Sequence, residues 1–355
     1  MKAQLILEDG ALFEGEGFGS DRDAVCDFIF NTSMTGYLEL LSDPSNLGRG
    51  IVMTFPLIGN YGICKADAEA DRPSAEAFIM RESAPLHSNF RSEGSLAGYM
   101  EEHGIPGLAG VDTRALMRHM RTHGEMRGLL TRSLIDTNEA KQRIVSARPI
   151  ENPVAQVTCK APYTLGEGKG QVIAALDLGL KRSAAEAFTG RGRALKVWPA
   201  TSKAAAMLED KPGGIFISDG PGDPGQSGEL LPEIKALTES GLPVFATGLG
   251  CLLAAQAAGF EVYRLALGHR GSNYPVREGK TGKTFITAQN HGWAVRTEGA
   301  AQSVTHTNVN DGTVEGLSLN GGRVQGVLFT PEPSAQPTDG GHLYDEFLAK
   351  IGGRA

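Results

Sequence analysis

From residue 171 onward, apolar runs of strand length alternate with segments of helix length, and this alternation limits the fold more than any other feature of the chain. "GQVIAALDLG" reads as a continuous apolar strand, "LKRSAAEAFTGRG" as a helix, "ALKVWPA" as a strand, and "SKAAAMLED" as a helix with Ser202 or Thr201 at its N-cap. "GGIFISDGPGDPG" is a strand entering a glycine-proline loop, and "ELLPEIKALTESG" is helical. "PVFATGLGCLLAAQAAG" (243–259) then reads as a buried strand, a tight turn and an alanine-rich helix. Buried strands alternating with helices imply right-handed βαβ units, so residues 171–355 are expected to form an α/β domain with a mainly parallel sheet flanked by helices. Ligands in such sheets bind outside the carboxyl ends of the strands. The "DGPGDP" loop and the Gly248 turn both follow strand carboxyl ends, so both are expected to border one crevice. A strand-to-helix elbow of this kind usually lifts a nucleophile beside free backbone N–H groups. Residue 248, at the elbow, has no side chain.

The first 150 residues have a different texture. "KAQLILEDGALFEGEGFG" is two strands about an Asp-Gly turn, a strong hairpin signal. "AVCDFIFNTS" and "GIVMTFPLIG" continue the strand pattern, while "GSLAGYMEEHG" and "DTRALMRHMRTHG" have helical spacing with glycine just past their ends. A strand-rich α+β domain over 1–150 is expected. The segment 151–170 holds two prolines and three glycines without a sustained period, and reads as an inter-domain linker. A chain of 355 residues, 41% hydrophobic and 21% charged, is long enough for about two such cores.

Charge excludes some partners. The formal net charge is −7 and the lysines and arginines are scattered, so nothing offers a basic face to nucleic acid. The N-terminal apolar stretch is too short for a signal sequence or a membrane span, which points to a cytoplasmic protein. The four cysteines, Cys26, Cys64, Cys159 and Cys251, lie far apart without C-x-x-C spacing and read as free thiols.

Several phrases, in order along both halves, carry a specific resemblance: "FNTSMTGYLELLSDPS" (30–45), "FPLIGNYGI" (55–63), "GIPGLAGVDTRAL" (104–116), "MRGLL" (126–130), "DGPGDP" (219–224), "GHRGSNYPV" (268–276), "QNHGWAV" (289–295) and "NDGTVEG" (310–316). With these the chain resembles the small subunits of carbamoyl phosphate synthetase from about residue 3 to residue 348, and its second half resembles a class I glutamine amidotransferase domain. The resemblance implies a subunit that hydrolyses glutamine and passes ammonia to a large ATP-using subunit. ATP and magnesium are then expected only on that partner, and no cofactor or metal on this chain. The first 150 residues are the expected interface with the large subunit, and the product is expected to serve arginine, pyrimidine or a more specialised synthesis.

The chemistry of that family requires a thiolate at the elbow, a histidine to take its proton and a glutamate to orient the histidine. By resemblance the cysteine position is Gly248 and the histidine position is Thr330 in "LFTPEPS", with Glu332 kept. Loss of a triad nucleophile costs on the order of a million-fold in turnover. The glutamine-binding positions of the family fall on Ser45, Gly220, Gly222, Leu249, Leu252, Asn290, Gly292 and Trp293, where Leu252 replaces a glutamine and Trp293 a phenylalanine.

The expected function is therefore a small subunit without glutaminase activity that still docks a large subunit supplied with free ammonia. Gly248 would leave a small void or an ammonia entry. Restoring Cys at 248 together with His at 330 is expected to recover hydrolysis, since Glu332 remains. Two alternatives stand beside this: a rewired amidotransferase using Cys251, and a non-catalytic binding or regulatory protein. His291 in "QNHGWAV" is the other histidine to consider as a base; by resemblance it belongs to a substrate-side loop.

Overall fold

The computed structural model describes residues 1–168, 170–332 and 339–351, so residue 169, in the expected linker, and the stretches 333–338 and 352–355, including the end of "LFTPEPS", lie outside the described residues. The chain forms two compact units: Met1–Ile150 with Ala266–Arg270, and Glu151–Leu265 with Gly271–Ala355.

In the first unit, β1 (Lys2–Leu7) and β2 (Leu12–Gly19) form the hairpin expected from the Asp-Gly turn, with Ile6 opposite Leu12. There follow β3 (Ala24–Asn31), α1 (Tyr37–Ser42), β4 (Arg49–Met53), β5 (Leu57–Ile58), β6 (Ala77–Ile79), β7 (Glu82–Ser83), α2 (Leu96–Glu102), β8 (Pro106–Ala109), α3 (Thr113–His123), β9 (Met126–Thr131) and α4 (Thr137–Ser146). The order β1-β2-β8-β6-β4-β3-β9 closes into a barrel, while β5 and β7 pair separately. Closure leaves no free edge in this sheet, which removes a template for unwanted strand pairing. Leu5, Leu7, Cys26, Phe28, Val52, Ile79 and Leu108 alternate inward to form one buried cluster. The helices start on side-chain caps: Ser95 accepts from the Gly98 amide and Asp112 from the Ala115 amide. Within this unit the Thr32 amide donates to the Arg270 carbonyl (3.2 Å), and the buried Arg270 guanidinium pairs with Glu125.

The second unit runs α5 (Pro153–Val157), β10 (Tyr163–Leu165), β11 (Ile173–Asp177), α6 (Arg182–Thr189), β12 (Leu195–Pro199), α7 (Ala204–Glu209), β13 (Gly214–Ile217), α8 (Leu231–Thr238), β14 (Val244–Thr247) and α9 (Gly248–Ala257). It continues with β15 (Val262–Glu278), β16 (Thr284–Val295), β17 (Val304–Asn308), β18 (Val314–Leu319), β19 (Val324–Val327) and α10 (His342–Lys350). The sheet order is β10-β12-β11-β13-β14-β19-β18-β17-β15-β16. Strands β12, β11, β13, β14 and β19 are mutually parallel, with antiparallel pairs toward both edges. The segment 151–170 carries α5 and the edge strand β10.

Strand alternation divides the core between two helical layers. Ala174, Leu176, Ile215, Ile217, Val244 and Ala246 face a cluster shared with α7, α8 and α9. Ile173, Ala175, Phe216 and Phe245 face α6 and α10, where Phe188, Tyr344 and Phe347 are buried. The expected α/β architecture is therefore the observed one. One local expectation fails: α7 is capped by neither Ser202 nor Thr201. Its N-cap is Lys203, and the Glu233 carboxylate of α8 accepts the Ala204 amide (2.8 Å). A carboxylate from the neighbouring helix satisfies the donor, so no hydroxyl is needed there.

Candidate active site

The adjacent parallel strands β13, β14 and β19 end side by side, and their carboxyl ends lead into Asp219, Gly248 and the Thr330–Glu332 segment respectively. Parallel register brings three segments distant in sequence to one edge of the sheet, as expected for the two loops already read as neighbours.

At the end of β14 the backbone turns directly into α9, and Gly248 has φ +47°, the left-handed region that favours glycine. The expected void is not there. A Cβ built on Gly248 would lie 1.9 Å from Asp219 Oδ1 and 2.1 Å from its Cγ, so the Asp219 carboxylate fills that space. Asp219 Oδ1 accepts both the Leu249 amide and the Gly220 amide, each at 2.8 Å. Gly220 packs its α-carbon against the β11–α6 connection, where a Cβ would meet the Leu178 carbonyl oxygen at 2.2 Å. Gly222 lies in the same loop against Pro153. Both glycines have a packing reason that needs no ligand.

At the end of β19 the Thr330 amide donates to the Ala288 carbonyl of β16 (2.9 Å). Glu332 is buried, and it does not wait for an imidazole: Lys181 Nζ lies 2.7 Å from Glu332 Oε1, and the Tyr344 hydroxyl donates to Oε2 (3.0 Å). The same Lys181 Nζ donates to Thr330 Oγ1 (3.1 Å). Lys181 is itself buried and stands just after β11, before α6. Asp177, at the end of β11, accepts the amides of Cys159, Gly179 and Leu180 and so fixes the turn that carries Lys181.

Cys251 points away from the crevice. Its sulfur packs on the β19 backbone, where a Cβ on Gly326 would come within 2.6 Å of it. Burial, with Glu315 and Asp219 adding negative charge, pushes its thiol well above the ordinary range, so it is held as the neutral thiol. Leu252, one residue on, is buried in the apolar cluster beneath the sheet. Asn290, Gly292 and Trp293 lie on β16, Trp293 packing against that same cluster. His291 is buried between them, its Nδ1 2.8 Å from the Trp293 carbonyl and its Nε2 3.3 Å from Glu315 Oε2. Ser45 belongs to the first unit, where its amide and hydroxyl both donate to Asp43 Oδ1 (2.8 and 2.7 Å).

The sequence reading missed Asp219 and Lys181. Both follow the carboxyl end of a parallel strand, and that position was the available signal. Among the described residues no helix is long and apolar enough to cross a membrane.

Comparison with known proteins gives a consistent result along the whole chain. Residues 5–130 match the family model for the carbamoyl-phosphate synthase small chain, CPSase domain, and residues 174–350 match that for class-I glutamine amidotransferases. The carbamoyl phosphate synthase small chain of Bacillus caldolyticus is 42% identical over 354 residues, covering 99% of this chain and 97% of that protein. The pyrimidine-specific small chain of Halalkalibacterium halodurans is 41% identical, covering 98% and 96%. The small chain of Symbiobacterium thermophilum is 39% identical, covering 97% of each. With two domain matches in order and about two-fifths identity from end to end, this chain belongs to the carbamoyl phosphate synthase small-chain family.

Proposed function

We propose that this chain is a carbamoyl phosphate synthase small subunit whose own glutaminase route is silent, and that it docks a large ATP-using subunit fed by free ammonia. The observation that carries the reading is the pair of strand ends at β14 and β19: glycine stands at the elbow and threonine at the base position. A thiolate mechanism needs a nucleophile and a proton acceptor within hydrogen-bond reach, and neither group is at its family position. The Asp219 carboxylate at the elbow and the Lys181–Glu332 pair at the base position support the same conclusion. The rewired alternative gains nothing from Cys251, which is buried against β19 and neutral.

Co-expression with the cognate large subunit tests this. Carbamoyl phosphate synthesis by the purified complex is expected with ammonium salts and not with glutamine. Glutamine-dependent glutamate release above the large-subunit background overturns the reading, and failure of the two chains to co-purify favours a separate regulatory role. The family includes pyrimidine-specific small chains, and an assay in strains auxotrophic for uracil or for arginine assigns the pathway.

A further inference from the structure

We infer that Asp219 is an internal plug of the elbow, occupying both the space of a residue-248 side chain and the backbone donors that would cradle a reacting oxygen. In elbow enzymes the oxyanion hole combines the amide of the residue after the nucleophile with an amide from a neighbouring loop, and effective donors lie about 2.7 to 3.1 Å from the developing oxyanion. Here those donors are the amides of Leu249 and Gly220, and a single oxygen, Asp219 Oδ1, sits 2.8 Å from both. The plug is therefore already where a tetrahedral intermediate would place its negative oxygen. It also crowds residue 248, because any side chain there begins with a carbon 1.9 Å from that same oxygen, so the carboxylate must swing aside to admit one.

The functional meaning of the plug rests on the silent-glutaminase reading, but its geometry does not. Removing the missing-residue defects is then insufficient to revive the site. Gly248→Cys with Thr330→His, expected from the sequence to recover hydrolysis, must first displace Asp219 from the space at 248 and from the oxyanion donors. Shortening Asp219 empties both places at once and leaves the two amides to water, since Asp219 is only half-buried.

A double-mutant cycle reads the plug without any activity assay. In the complex with the large subunit, Gly248→Ala is expected to lower the Tm of the small subunit by roughly 5 °C or more, from contact with Asp219 and from the left-handed backbone. In the Asp219→Ala background at least half of that loss disappears, because the contact is gone and only the backbone strain remains. Equal losses in the two backgrounds overturn the proposal. The second measurement is glutamate release by Gly248→Cys/Thr330→His with and without Asp219→Ala. Release only when Asp219 is shortened supports the plug, whereas equal release with Asp219 intact overturns it. Silence of both variants beside a relieved thermal penalty upholds the plug and counts instead for the non-catalytic binding or regulatory alternative. If Gly248→Ala does not fold with Asp219 present and folds with Asp219→Ala, the plug is supported in its strongest form.

Discussion

The ends of β14 and β19 lie on neighbouring positions of one sheet, and the space beyond each is filled in a different way. At β14 a single half-buried carboxylate, Asp219, sits on backbone amides in the space above Gly248. At β19 a fully buried ion pair, Lys181 with Glu332, closes over Thr330 and is steadied by the Tyr344 hydroxyl. The first arrangement is replaceable by water. The second is not, because removal of either partner strands a charge in a low-dielectric interior. Glu332 therefore has a structural reason to stay, whatever the chemistry of the site, and its presence alone is weak evidence of a surviving triad.

The largest expected effect follows from that contrast. Lys181→Met leaves the Glu332 carboxylate buried without its cation and is expected to cost about 3 to 5 kcal/mol, read as a lowered midpoint in urea or thermal melts. The paired replacement Lys181→Met/Glu332→Leu recovers most of it. A Lys181→Met variant as stable as the parent breaks the comparison at the β19 end.

A buried acid without a paired cation sharpens it. Burial, with Asp67 and Glu69 nearby, pushes the Glu39 carboxyl of the first unit up to about 7. A folded-state pKa raised above the unfolded one means stability is full below about pH 4.5 and falls as pH rises through 7, by up to about 3 kcal/mol. Glu39→Gln is expected to flatten that fall between pH 5 and pH 8 in denaturant titrations. His306 of the second unit has the opposite sense: burial lowers it to about 4. Its neutral form stabilises the fold above about pH 6.5, and the benefit is lost as pH drops toward 4, so His306→Gln removes an acid-side loss of similar or smaller size.

The smallest effect belongs to the β14 end. Asp219→Ala exposes two amides that water can reach and is expected to change stability by about 1 kcal/mol or less. A loss larger than that of Lys181→Met would reverse the distinction between the two strand ends.

What the sequence could disclose followed physical range. Alternating runs of strand and helix length are local, and they led to the parallel sheet, the Gly248 turn and the shared edge of the Asp219 loop. The Asp-Gly hairpin was legible for the same reason. Barrel closure was not, since pairing β1 with β9 joins Leu5 to Leu130 across the whole first unit and no local period encodes it. Lys181 meets Glu332 only because β11 and β19 flank β13 and β14 in the sheet, an order fixed by packing of the helical layers. Asp219 stood only as the first residue of the "DGPGDP" loop; its carboxylate acquires its place only when Leu249 arrives thirty residues later. The hydroxyl cap expected for α7 failed similarly, overtaken by Glu233 from another helix.

The membership of Ala266–Arg270 in the first unit sets a timetable for the chain as it is made. Residues 1–150 leave the ribosome with Glu125 still lacking the Arg270 guanidinium and Thr32 lacking its carbonyl acceptor. At synthesis rates of about 5 to 20 residues per second, those partners follow roughly 6 to 24 s later. Until then Glu125 has no Arg270 beside it and Thr32 no Arg270 carbonyl, so these two contacts of the first unit close only after residue 270 has been made.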